Sequence, residues 1–262
     1  MSDVRVAARH LGMRFALRGR DLVALDDVNL QIRDREFCCV VGPSGCGKST
    51  FLRILAGLER QTSGEIHVEV RDPTKPLTAM VFQEQSIFPW MTVEDNIAYG
   101  LRMRGVHASV RRRVVDHYLE KVGLATFARA YPHQLSGGMK QRASVARAFA
   151  TDPEVLLMDE PFASVDEQTR ALLQEELLRV WETDRKTVVY VTHSIDEALV
   201  LGDRVVVMSA RPGHVKAEIA VTLARPRSVY ELKSTAAFSE LVAKVWEPLR
   251  REVLASYAAL AS

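Results

Sequence analysis

Gly42-Pro43-Ser44-Gly45-Cys46-Gly47-Lys48-Ser49 decides the fold, because it fits the phosphate-loop pattern G-x-x-x-x-G-K-[ST] at every fixed position. Before this stretch, Phe37 to Val41 is a continuous apolar run typical of a strand buried on both faces. After it, apolar residues recur at the spacing of one helix face, at Phe51, Ile54, Leu55 and Leu58. A strand, a glycine-rich turn and a helix therefore follow in the order that a phosphate cradle requires.

The residue types in this stretch suit a nucleotide. Glycines allow backbone N–H groups to converge on an anion, and the helix dipole adds partial positive charge there. Lys48 is predicted to reach the β- and γ-phosphates, and the Ser49 hydroxyl to ligate Mg²⁺. The alternative is a glycine-rich turn with a chance lysine, which leaves the agreement of both flanks unexplained.

The overall composition is that of an ordinary globular protein. The 262 residues are 47% hydrophobic, and 35 basic against 33 acidic residues give a net charge of +2. Such a balance does not mark a surface for nucleic acid or for anionic lipid. No window approaches about 20 uninterrupted apolar residues, and residues 1–20 lack a signal-peptide core. We expect a soluble chain with reduced cysteines, which leaves docking onto a membrane partner open.

The N-terminal part of the chain alternates apolar and polar residues. Val4 to Phe15 and Leu22 to Ile32 are predicted to be antiparallel strands joined by a polar turn at Arg18-Gly19-Arg20. Gly64 to Val70 indicates a further strand. Ala79 to Phe82 indicates a short buried strand that ends at Gln83, where a polar side chain is well placed to face a ligand.

The middle of the chain changes character. Between about residues 84 and 150 three helices are predicted, over Val93–Leu101, Ala108–Val122 and Gly137–Phe149. Leu135-Ser136-Gly137-Gly138 opens the last of them, with Ser136 as N-cap and first-turn amides left unobstructed by the glycines. This is a second possible anion site, although the motif alone is common.

Two more buried strands end in residues that can do chemistry. Val155 to Met158 is followed by Asp159-Glu160, which suggests one carboxylate for a metal and one to activate water. Thr187 to Val191 is followed by Thr192-His193. Carboxyl ends of parallel strands share one sheet edge, so these residues are expected to converge there with Gln83. Taken singly, Gln83 suits an ordinary loop and His193 a structural role.

The remaining segments are predicted from the same periodicities. Thr169 to Trp181 indicates a helix and Arg204 to Met208 a fourth buried strand. His214 to Leu223 suggests a strand pair. Ala236 to Ala259 indicates a helix with a break near Pro248.

Together these residues resemble the nucleotide-binding subunit of ABC transporters, and the match runs from about Val4 to Pro226. The resemblance implies an α/β fold in which a P-loop NTPase core carries an antiparallel β subdomain and an inserted α-helical subdomain. It makes residues 1–262 a single ABC ATPase domain. Within that domain, residues 1–83 and 151–210 form the nucleotide-binding core, 84–150 the helical signature subdomain and 211–262 a C-terminal extension.

The resemblance also assigns roles to individual residues. Phe15 matches the aromatic residue that stacks on adenine, and Gln83 the glutamine that contacts Mg²⁺ and the attacking water. The implied catalytic residues are Glu160, His193 and Gln83. The implied metal ligands are Ser49, Gln83 and Asp159. The implied nucleotide-binding residues are Phe15, Gly42, Pro43, Ser44, Gly45, Cys46, Gly47, Lys48, Ser49, Thr50, the signature residues Ser136, Gly137 and Gly138, and the D-loop aspartate Asp166.

Two departures from the family pattern are present. The D-loop reads Ala163-Ser164-Val165-Asp166 where Ser-Ala-Leu-Asp is usual, and Met139 follows the signature where glutamine is more usual. Met139, Phe88-Pro89-Trp90 and Ser209-Ala210-Arg211-Pro212-Gly213 look like the ATPases of nitrate, sulfonate, taurine and bicarbonate importers. Phe88 and Trp90 either belong to the core or line a groove that receives the permease.

The resemblance implies ATP and Mg²⁺ as cofactors, sandwiched between two copies of the chain or between the chain and a close paralogue. The implied partners are transmembrane permease subunits and, indirectly, a periplasmic or extracellular solute-binding protein, with no nucleic acid. The implied location is the cytoplasmic face of the inner membrane, peripherally bound. An exporter ATPase or a non-transport ABC-type ATPase is the alternative. Against the latter, the chain lacks heptad repeats and a second cassette.

Overall fold

The computed structural model describes residues 3–17, 20–83, 87–163 and 165–260. The predicted turn at Arg18-Gly19 and the D-loop residue Ser164 lie outside these ranges. In chain order the strands are β1 Val4–Leu17, β2 Arg20–Arg33, β3 Phe37–Val41, β4 Ser63–Val68, β5 Thr78–Val81, β6 Val155–Asp159, β7 Thr187–Val191, β8 Arg204–Met208 and β9 Val215–Ala220. The α-helices are α1 Lys48–Leu55, α2 Val93–Met103, α3 Ala108–Lys121, α4 Gly137–Ala150, α5 Glu167–Asp184, α6 Ile195–Leu201, α7 Val229–Lys233 and α8 Ala236–Leu260.

The described residues form two compact units. One comprises Met1–Arg71 and Lys186–Ser262, and the other Asp72–Arg185. The first unit contains a three-stranded antiparallel sheet in the order β2-β1-β4. The predicted antiparallel pairing of the first two strands is therefore confirmed.

The core of the first unit is a parallel arrangement around β3. This strand pairs in parallel with β7 on one side and with β8 on the other, and β9 adds an antiparallel edge to β8. Every residue of β3 and β7 is buried, as expected for strands covered on both faces. Cys38 and Cys39 lie in β3 as buried free thiols, in agreement with a packing role.

Within the described residues, the second unit combines two strands with four α-helices. Strands β5 and β6 pair in parallel, with Val81 opposite Met158. Helix α4 packs against α2, α3 and α5. Helix α2 begins after Thr92, whose hydroxyl accepts a hydrogen bond from the Asp95 N–H at 3.2 Å and so caps the first turn. The three helices predicted between residues 84 and 150 are confirmed.

Four local predictions were wrong. Leu58 lies beyond α1 and is 59% exposed, because the chain leaves the helix at Gly57 in a left-handed conformation. Phe82 is exposed, and β5 ends one residue before it, at Val81.

The two remaining errors lie in the C-terminal part of the chain. The pair of strands predicted over residues 214–223 is the single strand β9, which pairs with β8. Helix α8 continues through Pro248, where the adjacent Leu249 is buried and its packing outweighs the lost backbone hydrogen bond.

None of the helices within the described ranges is both long and apolar enough to cross a membrane.

Candidate functional site

The phosphate loop joins β3 to α1 in the first unit, as its sequence predicts. Gly45 and Gly47 have φ angles of 74° and 105°, a region that side chains with a Cβ rarely occupy. A Cβ on Gly47 would lie 2.6 Å from Leu25 Cδ2 and 2.8 Å from the Ala24 carbonyl oxygen. The glycines are therefore required by both backbone conformation and close packing.

The loop is arranged around the Lys48 side chain. Lys48 is only 6% exposed, and its Nζ donates hydrogen bonds to the carbonyl oxygens of Gly42 at 2.8 Å and Pro43 at 3.0 Å. Gly47 is the N-cap of α1 and has no side chain that could cap the amides of the first turn. An ammonium group and a helix N-terminus thus share one short loop, a combination that suits an anion.

Burial controls the chemistry of the loop cysteine. Cys46 is 1% exposed, and desolvation raises the pKa of its thiol, although the Lys48 ammonium lowers it in part. The thiol is therefore protonated at neutral pH. Cys46 is a packing residue of the loop and not an activated nucleophile.

His193 lies at the same edge of the first unit as the phosphate loop. Val40 of β3 pairs with Val191 of β7, and Gly42 and His193 each follow two residues later. The Thr192 N–H donates to the Val40 carbonyl at 3.1 Å, and the Thr192 hydroxyl bonds to the buried Glu197 carboxylate. The backbone on the N-terminal side of the exposed His193 is thereby fixed.

In the second unit Gln83 and Glu160 follow the paired ends of β5 and β6. Asp159, the last residue of β6, is 6% exposed, whereas Glu160 is half-buried and Gln83 exposed. Glu160 has a φ of 42°, which is unusual for a residue with a long side chain. Such a conformation costs free energy and is common where a side chain must be aimed at a functional site.

The signature residues begin α4 as expected. The Ser136 hydroxyl accepts a hydrogen bond from the Met139 N–H at 3.3 Å, and Ser136 and Gly137 are exposed. A Cβ on Gly138 would lie 3.1 Å from Thr169 Cγ2 in α5. The first turn of α4 therefore approaches the start of α5.

Asp166 is the N-cap of α5. Its carboxylate accepts a hydrogen bond from the Thr169 N–H at 3.0 Å, and this bond, with a second from the Thr169 hydroxyl, lowers the pKa of Asp166. The D-loop aspartate and the signature helix thus share Thr169 as a neighbour. No spacing in the sequence predicts this link.

The remaining predicted site residues are placed as follows. Phe15 lies in β1 opposite Leu22 and is partly exposed, and Ser49 and Thr50 occupy the first turn of α1. Trp90 is 69% exposed, so the alternative that it is a core residue is wrong. Phe88 is half-buried against Tyr99, with ring centroids 4.7 Å apart.

The phosphate loop also has one group of contacts that its sequence does not predict. The Arg211 Nε–H donates to the Gly45 carbonyl at 3.2 Å, and a Cβ on Gly213 would lie 2.0 Å from the Cys46 carbonyl oxygen. The sequence signal was the stretch Ser209-Ala210-Arg211-Pro212-Gly213, which resembles importer ATPases and indicated no role at the loop.

The comparisons with known proteins identify the class. Residues 25–163 match the ABC transporter family, and the chain belongs to this family. It is therefore an ATPase of the ABC type with the P-loop NTPase fold, and it binds ATP. The predicted family, fold class and enzyme class are confirmed.

Two curated proteins and one solved structure are similar to this chain over most of its length. The aliphatic sulfonates import ATP-binding protein SsuB of Bacillus cereus is 43% identical over 90% of this chain and 92% of its own length. The nitrate import ATP-binding protein NrtD of Synechocystis sp. is 46% identical over 77% of each chain. A dimeric structure of the ATP-binding cassette MJ0796 with ADP and Pi has a TM-score of 0.72 and 31% identity, covering 84% of this chain and all of the other.

Proposed function

We propose that this chain is the ATP-hydrolysing subunit of a membrane importer for nitrate, sulfonate, taurine or a similar small anion. The observation that carries the proposal is the identity of 43% and 46% to two ATP-binding proteins named for sulfonate and nitrate import. The importer ATPase motifs quoted from the sequence agree with it. An exporter ATPase and a non-transport ABC ATPase are the alternatives.

The triphosphate would be held by the phosphate loop. Lys48 and the first-turn amides of α1 supply positive charge where the β- and γ-phosphates belong, and the left-handed Gly45 and Gly47 give the backbone its curvature. Phe15 would stack on the adenine. Phe15 is partly exposed in β1, which is compatible with such stacking.

The predicted metal ligands fit Mg²⁺ by their chemistry. Ser49, Gln83 and Asp159 offer hydroxyl, amide and carboxylate oxygens, which are the donors that this hard cation prefers. When bound, Mg²⁺ neutralises charge that develops on the transferring phosphoryl group. These three residues would hold it.

Glu160 would act on the attacking water. Its carboxylate would accept a proton as the water oxygen bonds the γ-phosphorus and the bond to the bridging oxygen breaks, giving ADP and phosphate. His193 would hold the γ-phosphate, and Gln83 would orient the water. The left-handed conformation of Glu160 supports a role for which its direction matters.

Hydrolysis would require two subunits. In a head-to-tail dimer, Ser136, Gly137 and Gly138 of one copy would close over the triphosphate on the phosphate loop of the other. The solved relative with ADP and Pi is described as dimeric, which supports this arrangement. Asp166 bonds Thr169, which lies close to Gly138 at the start of α4. Asp166 is therefore suited to respond when the dimer closes.

The proposed partners follow from the importer role. Transmembrane permease subunits would bind the ATPase at the cytoplasmic face of the inner membrane, and a solute-binding protein would deliver the anion on the other side. The exposed Trp90 and the neighbouring Phe88 would line the dock for the permease. No nucleic acid partner is proposed.

The catalytic part of the proposal is tested with Glu160→Gln. This variant should bind Mg-ATP and form a stable ATP-dependent dimer in size-exclusion chromatography, with turnover lowered by about 10²-fold or more. Glu120→Gln, on an exposed position of α3, is the matched control and should hydrolyse ATP normally. Undiminished hydrolysis by Glu160→Gln would remove Glu160 from this role.

The transport part is tested by purifying the tagged chain from membranes. Copurification of a permease is one expected result. The other is ATP-dependent uptake of radiolabelled nitrate or taurine into vesicles that enclose ATP and the ATPase, with the solute-binding protein added outside. ATP-dependent release without any binding protein would favour the exporter. A failure to associate with membranes would favour a non-transport ATPase.

A further inference from the structure

The turn Ser209–His214, which follows β8, is built against the phosphate loop. Gly213 is buried, its N–H donates to the Ala24 carbonyl at 3.0 Å, and its carbonyl accepts from the Asp26 N–H at 3.0 Å. A Cβ on Gly213 would overlap the Cys46 carbonyl oxygen. Only glycine therefore lets the turn approach the loop so closely.

The contacts reach several positions of the loop. A Cβ on Gly42 would lie 3.1 Å from the Met208 carbonyl oxygen, immediately before the turn. Arg211 extends to the apex, where its Nε–H donates to the Gly45 carbonyl and its Nη2 lies 2.9 Å from the place of a Gly45 Cβ. Gly45 is one of the two left-handed residues that set the curvature of the loop.

The turn is itself held from two sides. Within it, the Ser209 hydroxyl accepts from the His214 N–H at 2.9 Å and lies 2.9 Å from the Pro212 carbonyl oxygen. From outside, the Glu252 carboxylate of α8 accepts from the Ala210 N–H at 2.9 Å and pairs with Lys216 at 3.2 Å. Glu252 is 13% exposed, so these bonds are partly shielded from water.

We propose that the Ser209–His214 turn is a brace for the phosphate loop, and that Arg211 is a positioning residue for ATP binding. Arg211 keeps the Gly45 peptide in the orientation that the loop needs, and Glu252 keeps the turn in place. The affinity for ATP therefore depends on the position of α8 in the C-terminal extension. The inference rests on the proposed role of the phosphate loop as the triphosphate site.

The test compares Arg211→Ala, Arg211→Lys and the control Arg250→Ala, an exposed arginine of α8. Loss of one charge-assisted hydrogen bond should raise the KM and the Kd for Mg-ATP about three- to tenfold in Arg211→Ala. The kcat should stay within about twofold, because the groups that act on water are untouched. Lysine keeps a charged donor and should restore part of the affinity, and Arg250→Ala should match the wild type.

Substitutions at Glu252 give a second, independent test of the brace. Glu252→Ala should raise the KM in the same direction as Arg211→Ala, whereas Glu252→Gln keeps an acceptor for the Ala210 N–H and should have a smaller effect. Thermal unfolding without nucleotide should show Arg211→Ala folded like the wild type, since its side chain is exposed.

Two outcomes separate this inference from the proposed function. If the wild type binds Mg-ATP and Arg211→Ala binds it equally well, or loses kcat with an unchanged KM, the brace is wrong and the triphosphate site stands. If Lys48→Ala leaves the binding of Mg-ATP unchanged, the phosphate loop is not the triphosphate site. Both the proposed role of the loop and the proposed brace are then wrong.

Discussion

Gln83 and Glu160 follow two neighbouring parallel strands, and each lies two residues beyond the Val81–Met158 pair. An exposed amide and a half-buried carboxylate therefore follow the same edge of the second unit. Glu160 reaches its position through a left-handed backbone conformation with φ of 42°. The sequence gives the residue type at this position, whereas the fold imposes its backbone conformation.

The conformation of Glu160 can be tested by comparing glycine with alanine. Left-handed geometry strains any residue with a Cβ, so Glu160→Gly should be more stable than Glu160→Ala by about 0.5–1 kcal/mol after the entropy of glycine is counted. Urea unfolding midpoints measure the difference. Both variants should lose ATPase activity alike. Equal stability would mean that the chain relaxes at this position without cost.

Lys48 should contribute mainly to the affinity for Mg-ATP. Removal of its ammonium in Lys48→Ala should weaken Mg-ATP binding by about tenfold or more, because a charge-assisted contact to phosphate is lost. Isothermal titration gives the Kd. Arg53→Ala, an exposed cation on the same helix, is the control and should bind normally. An unchanged Kd in Lys48→Ala would exclude the lysine from the triphosphate site.

Trp90 should contribute to partner binding and not to folding. Its side chain is 69% exposed, so Trp90→Ala should change the melting temperature by no more than about 1 °C, as for most surface substitutions. Less permease should copurify with the variant. Leu172→Ala, also exposed in the second unit, serves as the control. If Trp90→Ala copurifies with as much permease as the wild type, the permease binds a different surface.

Alkaline pH should destabilise the fold through the buried thiols. Burial raises the pKa of Cys38 from 9.0 to about 12, and that of Cys39 also rises. Above pH 9 the unfolded chain ionises these thiols while the folded chain keeps them protonated, so stability is complete below pH 9 and falls as the pH rises toward 12. The slope is up to about 1.4 kcal/mol per pH unit for each thiol.

The measurement is urea unfolding between pH 8 and pH 11. Cys38→Ala removes one of the titrating groups and should show a shallower pH dependence than the wild type. A thiol reagent added to the native protein at pH 8 should leave Cys38 and Cys39 unreacted, because both are fully buried. Rapid labelling of the native chain would contradict the burial of β3.

Much of the site could be predicted because its chemistry is local in sequence. Gly45, Gly47 and Lys48 lie within one loop, and Ser136 lies directly before the helix that it caps, so short-range spacing identifies them. The parallel core strands were predictable for a similar reason, since strands buried on both faces are continuous apolar runs.

Two predictions failed for different reasons. Helical spacing extends the first helix to Leu58, but the chain turns at Gly57, a local stop signal that the apolar spacing ignores. Pro248 suggests a break where α8 continues, because its local cost of about 3 kcal/mol can be outweighed by neighbours from elsewhere in the chain.

The sequence by itself determined the phosphate loop, the buried strands β3 and β7 and the motifs of the family, because each depends on residues that are adjacent in the chain. Only the tertiary structure decided that Glu160 is left-handed and that Arg211 and Gly213 press on a loop more than 160 residues earlier. Such contacts leave no periodic pattern, because they depend on which backbone segments the packed strands bring together.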